Sequence, residues 1–130
     1  MNEVINIGLI GLGRIGKMHA INVYQKLPFL KLKSIADPKP DLEFTQSLGE
    51  VNSFKNPEDI IFDKDIDGVI ISSPTPTHIE LVHKCIENKK HVFCEKPLSF
   101  SEHKINKIID LTSHNNIIVQ VGLNRRFDKE

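Results

Sequence analysis

Short apolar runs alternate along the chain with segments of helical periodicity. The six runs predicted as strands are VINIGLI (4–10), LKLKSIAD (30–37), VNSF (51–54), IDGVIISS (66–73), HVFCEKP (91–97) and IIVQVGLNRRFD (117–128). The first run is almost continuously apolar, which is typical of a strand buried on both faces of a parallel sheet. Strands that alternate with helices indicate βαβ units, so the pattern predicts a doubly wound α/β fold with about six parallel strands.

Helices are predicted between the strands, over residues 14–27, 41–48, 56–62, 77–88 and 99–116. Asn56 is the expected N-cap of the third helix, with Pro57 in its first turn. The last helix is expected to begin at a cap provided by Ser99 or Ser101 and to direct one apolar stripe toward the sheet. This stripe consists of Ile105, Ile108, Ile109 and Leu111.

Composition narrows the possible functions. Seventeen basic and seventeen acidic side chains among 130 residues give a formal net charge of zero, so no overall field draws the chain to nucleic acid or anionic lipid. The sequence has no apolar run of about 20 residues that could span a bilayer. Its first residues do not resemble a secretory leader, which predicts a cytoplasmic location.

The cysteines and histidines do not suggest a metal site. Cys85 and Cys94 are expected to be reduced thiols that pack as small apolar groups. The six histidines are scattered, and no spacing among them and the cysteines is typical of metal ligands. We therefore expect no bound metal.

Most predicted strands end in polar or turn-forming residues. In a doubly wound sheet, ligands bind beyond the carboxyl ends of the strands, near the point where the strand order reverses. The segments delivered to that edge are Gly11-Leu12-Gly13, Asp37, Ser72-Ser73-Pro74, Glu95-Lys96-Pro97 and Asn124-Arg125-Arg126. Because several strands end in such residues at the same edge, the set predicts a binding site more specifically than any one motif does.

The first of these turns has the spacing G-x-G-x-x-G. Gly11 would permit the tight turn, Gly13 the approach of a pyrophosphate to the backbone, and Gly16 close packing of the helix on the sheet. Phosphates would then lie at the free N–H groups of the helix N-terminus. Asp37 lies 21 residues after Gly16. It would accept hydrogen bonds from the adenosine ribose and repel a 2′-phosphate, which favours NAD over NADP, although Lys39 is close by.

Two other interpretations of these residues stay open at this point. The glycines could form only a strand–helix turn, with Asp37 as a solvated cap. A methyltransferase-type sheet that binds adenosylmethionine also uses a glycine turn and a later acidic residue.

Three segments together resemble the glucose–fructose oxidoreductase/inositol dehydrogenase (Gfo/Idh/MocA) family. They are GLIGLGRIGKMHA (8–20), SSPTPTHIELVHKCIENKKHVFCEKPLS (72–99) and VGLNRRFD (121–128). The likeness spans essentially the whole chain, and the RRFD ending is most similar to the inositol 2-dehydrogenase branch. The resemblance implies an N-terminal Rossmann domain, followed in family members by a larger α+β domain. It also implies hydride transfer between NAD(P) and a carbinol of a sugar or cyclitol.

The resemblance further implies roles for individual residues. Lys96 would be the catalytic lysine, whose ammonium group stabilises developing alkoxide charge on the reacting hydroxyl, and Pro97 would follow a cis peptide bond. For His78, the alternative to cofactor binding is a capping or packing role, and for Arg126 it is a surface position. His19 also fits the family pattern, but packing would explain it equally well. The expected cofactor-binding residues are Gly11, Gly13, Arg14, Ile15, Gly16, Asp37, Ser73, Pro74, Thr75, His78, Glu95, Lys96, Pro97 and Arg126.

Two features depart from the family pattern. Lys89 replaces a helix-ending glycine, so Asn88 is expected to take the left-handed conformation instead. The family's Asp-x-x-x-His pair, whose histidine is the acid/base, would lie beyond Glu130. Residues 1–122 are therefore interpreted as an NAD(P)-binding domain, and 123–130 as the start of the crossover to a second domain. That domain would supply the substrate pocket and the oligomer interface, so the chain alone is expected to be catalytically incompetent.

Two other interpretations of the chain are alternatives to the cofactor-binding half of a dehydrogenase. One is a stand-alone module that senses or scaffolds through a dinucleotide, and the other is a non-functional truncated gene product. The sequence shows no extra helix, tail or charged patch for a macromolecular partner. The expected partners are therefore a dinucleotide and, in a complete enzyme, a small polyol or sugar, with neither nucleic acid nor membrane.

Overall fold

The computed structural model describes residues 3–122, and its strands form a single sheet. The strands are β1 (Ile5–Ile10), β2 (Leu30–Ala36), β3 (Asn52–Phe54), β4 (Gly68–Ile71), β5 (His91–Glu95) and β6 (Val119–Gly122). They lie in the order β3-β2-β1-β4-β5-β6, and each neighbouring pair is parallel. The predicted doubly wound α/β fold is confirmed, and the strand order reverses between β1 and β4.

The helices fall where the sequence pattern predicts them. They are α1 (Arg14–Lys26), α2 (Leu42–Ser47), α3 (Glu58–Ile61), α4 (His78–Glu87) and α5 (Glu102–Asn115), and a 3₁₀ turn (Thr75–Thr77) precedes α4. Ser101 caps α5, since its hydroxyl accepts a hydrogen bond from the Lys104 N–H. Asn56 is not the N-cap of α3. Pro57 takes that position with a φ of −63°, which its ring sets, so the helix begins one residue later.

Apolar side chains are buried on both faces of the sheet. One core, under α3, α4 and α5, includes Ile10 and Ile71, whereas the other, under α1 and α2, includes Leu9. Cys85 and Cys94 lie in the first core as free thiols, and burial raises the pKa of each to about 12. The expectation that they pack as small apolar groups is confirmed.

The apolar stripe of α5 is narrower than predicted. Ile108 is buried, and Ile105 and Leu111 pack against the core from half-buried positions, but Ile109 is 59% exposed. Successive helical residues are rotated by about 100°. Ile109 therefore turns away from the line through Ile108 where α5 meets the core, and its predicted inward position is wrong.

The left-handed residue after α4 is Lys89, with a φ of 60°, and the prediction for Asn88 is wrong. Asn88 has a φ of −98°. Its side-chain amide donates to the carbonyl oxygen of Lys84 at 2.8 Å, and its backbone N–H also bonds to the last helical turn. Asn88 is thus held against the helix, so the chain reverses at the following residue.

A buried lysine that the sequence analysis did not single out follows this turn. Lys90 is 5% exposed, and its Nζ donates to the carbonyl oxygens of Asp63 and Ile66, each at 2.6 Å. Burial lowers the pKa of this ammonium group. The two bonds join the start of β5 to the loop that precedes β4.

Candidate functional site

The turn between β1 and α1 depends on two glycines. Gly11 has a φ of +93°, and a Cβ there would overlap the backbone of Ser73 in the loop after β4. A Cβ on Gly16 would overlap the carbonyl oxygen of Gly11 and lie 2.9 Å from Ser72 Oγ. Ser72 Oγ donates to the same carbonyl oxygen at 2.7 Å. Gly11 therefore allows the loop after β4 to come close, and Gly16 allows α1 to start directly against the turn.

Gly13 is different, because nothing in the described protein requires a glycine there. Its φ of −81° is open to any residue, and no heavy atom lies within 4 Å of the position that its Cβ would take. Helix α1 begins at the next residue, with no side-chain cap and no acidic residue in its first turn. The first N–H groups of an α-helix have no intrahelical partner and attract anions. Gly13 thus leaves an open cradle at the positive end of α1, where Arg14 and Ile15 are exposed.

Asp37 is held beside the same turn at the end of β2. Its Oδ2 accepts from the N–H of Leu12 at 2.7 Å, and its Oδ1 accepts from the N–H of Lys39 at 2.8 Å. Each carboxylate oxygen keeps a further lone pair for an outside donor. The carboxylate is therefore fixed in place and still able to accept hydrogen bonds from a ligand hydroxyl.

A cavity of about 400 Å³ brings several strand ends together. Gly11, Asp37, Ser73 and Pro74 from the predicted set line it. Other polar residues that line it were not predicted from the sequence, and they come from α4, the turn before it, α3 and the segment before α3: Lys55, Glu58, Thr77, Glu80 and Lys84. The end of β3 lies at the same edge as the other strand ends, so strand order could have indicated Lys55. Side chains from α4 could not be found in that way.

Three of these missed side chains form an ion cluster at the cavity wall. Lys84 Nζ lies 3.1 Å from Glu58 Oε1 and 3.3 Å from Glu80 Oε1. The backbone N–H of Glu58 and then Lys84 lower the pKa of the Glu58 carboxyl, whereas Glu58 and Glu80 raise the pKa of Lys84. The single ammonium group of Lys84 therefore pairs with both carboxylates at the cavity wall.

The loop after β4 is braced by its own hydroxyl groups. Thr77 Oγ1 lies 2.7 Å from Ser73 Oγ and donates to the carbonyl oxygen of Pro74 at 2.6 Å. The Thr77 N–H bonds to the same carbonyl oxygen at 2.9 Å. These contacts hold Ser73 and Pro74 at the cavity and give the 3₁₀ turn that starts at Thr75.

His78 lies under this loop and is only 1% exposed. Its Nε2 is 2.7 Å from the carbonyl oxygen of Ser73, and its Nδ1 is 2.9 Å from the carbonyl oxygen of Pro97. Both ring nitrogens are therefore occupied by backbone acceptors. These contacts fit the packing role that the sequence analysis left as the alternative for this histidine.

The turn after β5 presents Lys96 to solvent. Glu95 Oε1 lies 2.6 Å from His19 Nε2, and the His19 ring meets Phe93 edge-on with 5.4 Å between ring centroids. Lys96 is exposed, and the peptide bond between Lys96 and Pro97 is cis, as expected. The side chain that carries the candidate catalytic ammonium therefore stands on a turn anchored to α1 through its neighbour.

The predicted site residues thus fall into two groups at one edge of the sheet. The first surrounds the glycine turn and the 400 Å³ cavity, and the second is the turn after β5, which does not line that cavity. Arg126 lies outside the described residues. The assignment of both groups to a cofactor site remains a prediction.

A larger, mostly apolar groove of about 470 Å³ lies elsewhere, beside α1 and over β4, β5 and β6. Its lining includes Ile5, Gly68, His91 and Ile118, which lie at or before the starts of their strands. Ligands of doubly wound sheets bind at the opposite, carboxyl ends. We therefore assign the site to the smaller cavity, where the predicted residues meet.

Within residues 3–122, no group of three or more His, Cys, Asp and Glu side chains is arranged to hold a metal ion. The same part of the chain contains no helix with the length and apolar character needed to cross a membrane.

The parallel sheet, the glycine turn at the start of α1 and the acid at the end of β2 define a Rossmann-type dinucleotide-binding domain. A family model described as the oxidoreductase family with NAD-binding Rossmann fold (GFO_IDH_MocA) matches residues 5–123. The chain belongs to this oxidoreductase family, and the resemblance inferred from its sequence motifs is confirmed. Family membership rules out the methyltransferase interpretation.

The similar proteins include inositol dehydrogenases. The chain is 42% identical over 127 residues to the myo-inositol 2-dehydrogenase of Thermotoga maritima, an alignment that covers 96% of this chain. It is 35% identical over 130 residues to the scyllo-inositol 2-dehydrogenase (NAD(+)) of Bacillus subtilis, with 98% of this chain covered. The crystal structure of scyllo-inositol dehydrogenase from Lactobacillus casei with bound NAD(H) and scyllo-inositol superposes with a TM-score of 0.90, at 34% identity over 98% of this chain. The chain spans 38% of the length of each of these three relatives.

Proposed function

We propose that the chain binds NAD and forms the cofactor half of a dehydrogenase. The complete enzyme would transfer hydride between the nicotinamide and a carbinol of a cyclitol or sugar, as the names of its inositol dehydrogenase relatives suggest. The observation that carries the proposal is the empty space above Gly13, where no neighbouring atom requires a glycine. A glycine that the protein's own packing does not need is explained by a ligand that approaches its backbone closely.

The groups around Gly13 fit two parts of a dinucleotide, the pyrophosphate and the adenosine ribose. The uncapped start of α1 offers N–H groups and the positive end of the helix dipole to phosphate oxygens. Asp37 is fixed where it can accept hydrogen bonds from ribose hydroxyls. The same carboxylate would repel a 2′-phosphate, which favours NAD over NADP.

Lys96 would act at the other end of the cofactor. When bound, the nicotinamide supplies the hydride acceptor or donor. Lys96 carries an exposed ammonium group on a turn that Glu95 anchors to His19. An ammonium group beside the reacting hydroxyl would orient it and stabilise the negative charge that develops on its oxygen.

Catalysis needs a group that removes the hydroxyl proton, and by resemblance this is a histidine of a second domain. The similar enzymes are more than twice as long as this chain, which spans 38% of their length. We therefore expect the isolated chain to bind cofactor without measurable turnover of inositol.

Calorimetric titration with NAD⁺ and, separately, NADP⁺ tests the proposal. Wild-type chain should bind NAD⁺ more tightly than NADP⁺, and Asp37→Ala should weaken NAD⁺ binding about tenfold while narrowing the difference between the cofactors. Asp110→Ala, which removes an exposed carboxylate from α5, is the matched control and should bind as wild type does. A folded wild-type chain that binds neither dinucleotide at millimolar concentration would refute the proposal.

A further inference from the structure

His78 connects two loops that follow neighbouring strands of the sheet. It is the first residue of α4, and its ring is buried between the loop after β4 and the turn after β5. The ring reaches the carbonyl oxygen of Ser73 on one side, at 2.7 Å, and that of Pro97 on the other, at 2.9 Å. Since Ser73 lines the cavity and Pro97 follows Lys96, the ring spans the two groups of predicted site residues.

The chemistry of the two partners limits the state of the ring. A carbonyl oxygen can only accept a hydrogen bond, so each ring nitrogen must donate one. A neutral imidazole has a hydrogen on one nitrogen and a lone pair on the other, and that lone pair would face a carbonyl oxygen. Both contacts are satisfied together only when the ring carries hydrogens on both nitrogens.

We propose that His78 is a positioning residue, bonded as an imidazolium to the carbonyl oxygens of Ser73 and Pro97. It sets the spacing between the loop that lines the cavity and the turn that carries Lys96. It touches neither cofactor nor substrate, and its effect on binding rests on the proposed function. The hydroxyl contacts of Thr77 brace the loop after β4 from its own side, so His78 provides the cross-connection that these local contacts cannot.

The bridge can be tested on the free chain, without any cofactor. A nitrogen NMR spectrum of the isotopically labelled chain at neutral pH should show both ring nitrogens of His78 with attached hydrogens. His83, an exposed residue of the same helix, is the internal reference. One protonated and one unprotonated nitrogen in His78 would overturn the imidazolium bridge, whatever the chain binds.

The effect on the site is tested with His78→Gln, whose two amide hydrogens lie on one nitrogen and cannot reproduce the two separated donors of the ring, and with the control His83→Gln. We expect His78→Gln to weaken NAD⁺ binding at least about tenfold, with amide resonances shifted in both loops, and His83→Gln to change neither. A folded His78→Gln chain that binds NAD⁺ as wild type does would overturn the positioning role.

Failure of this inference can be separated from failure of the proposed function. NAD⁺ binding by wild type together with unchanged binding by His78→Gln would reject the positioning role alone. A wild-type chain with no affinity for NAD⁺ would reject the proposed function and the cofactor effect of His78, while the ring spectrum would still decide the bridge. If His78→Gln does not fold, the wild-type spectrum decides.

Discussion

His19 Nε2 lies 2.6 Å from Glu95 Oε1, so the first helix holds the residue that immediately precedes Lys96. The two side chains are 76 positions apart in sequence and are 18% and 23% exposed. A glutamate in this turn has no local partner that would fix its orientation in the described contacts. The tertiary contact with α1 therefore anchors the turn that carries the exposed Lys96.

We expect this pair to be energetically coupled. Urea unfolding of His19→Ala, Glu95→Ala and the double variant should give a coupling free energy of about 1 kcal/mol, because the contact is short and partly buried. His83 and Glu87 form a matched control pair on the surface of α4, at 3.2 Å and with side chains 48% and 58% exposed. Their coupling should be close to zero, and equal coupling in the two pairs would contradict the prediction.

The glycines of the first turn should separate stability from binding. Gly16→Ala should lower the free energy of unfolding by about 2–3 kcal/mol, because its Cβ would overlap the carbonyl oxygen of Gly11. Gly13→Ala should cost less than about 1 kcal/mol, since its Cβ meets no neighbour. It should nevertheless weaken NAD⁺ binding at least about tenfold by placing a methyl group in the cradle. Unfolding curves and calorimetry measure both effects, and unchanged NAD⁺ affinity in Gly13→Ala would argue against the assigned phosphate site.

Lys89→Gly should stabilise the chain. Lys89 has a φ of 60°, a conformation that costs a residue with a side chain about 1 kcal/mol more than it costs glycine. The exposed bond from Lys89 Nζ to Asn115 Oδ1 would be lost, which offsets a small part of the gain. Asn88→Gly is the control and should destabilise, because Asn88 is not left-handed and its amide bonds to Lys84. Thermal unfolding of the two variants should therefore shift in opposite directions.

Acid should weaken the contact between β2 and the loop after α3. Lys33 Nζ donates to Asp63 Oδ2 at 2.7 Å, and this bond, followed by the one from the Asp65 N–H, lowers the pKa of Asp63 below its ordinary value of 3.8. A carboxyl whose pKa is lower in the folded state stabilises the fold above its unfolded pKa. That stability is lost as the pH falls through the folded value.

Asp63→Asn should therefore lower the free energy of unfolding by about 1 kcal/mol at neutral pH and flatten its decline below pH 3.8. Urea unfolding at a series of acidic pH values measures this. Asp110→Asn, which alters an exposed carboxylate on α5, should keep the wild-type pH profile. A parallel profile for Asp63→Asn would show that Asp63 does not contribute to acid sensitivity.

Local sequence patterns predicted much of the fold. Continuous apolar runs in β1 and β4, helical periodicity in α4 and the cap at Ser101 are short-range features, and the structure has each element close to its predicted place. The wrong predictions fall at positions whose burial or backbone conformation depends on contacts with neighbouring residues or elements. Ile109 is exposed because α5 meets the core along a narrow line, and Lys89 turns left-handed because Asn88 is bound back to its helix.

The sequence by itself determined the succession of strands and helices along the chain, the glycine turn and the acid at the end of β2, because each depends on residues close together in the chain. Only the tertiary structure decided that Glu58, Glu80 and Lys84 share a cavity wall, that His19 holds Glu95, and that His78 spans two loops. These contacts join different elements, and their partners are set by how the parallel strands order themselves and which helices then lie across their ends. No local pattern in the sequence encodes that arrangement.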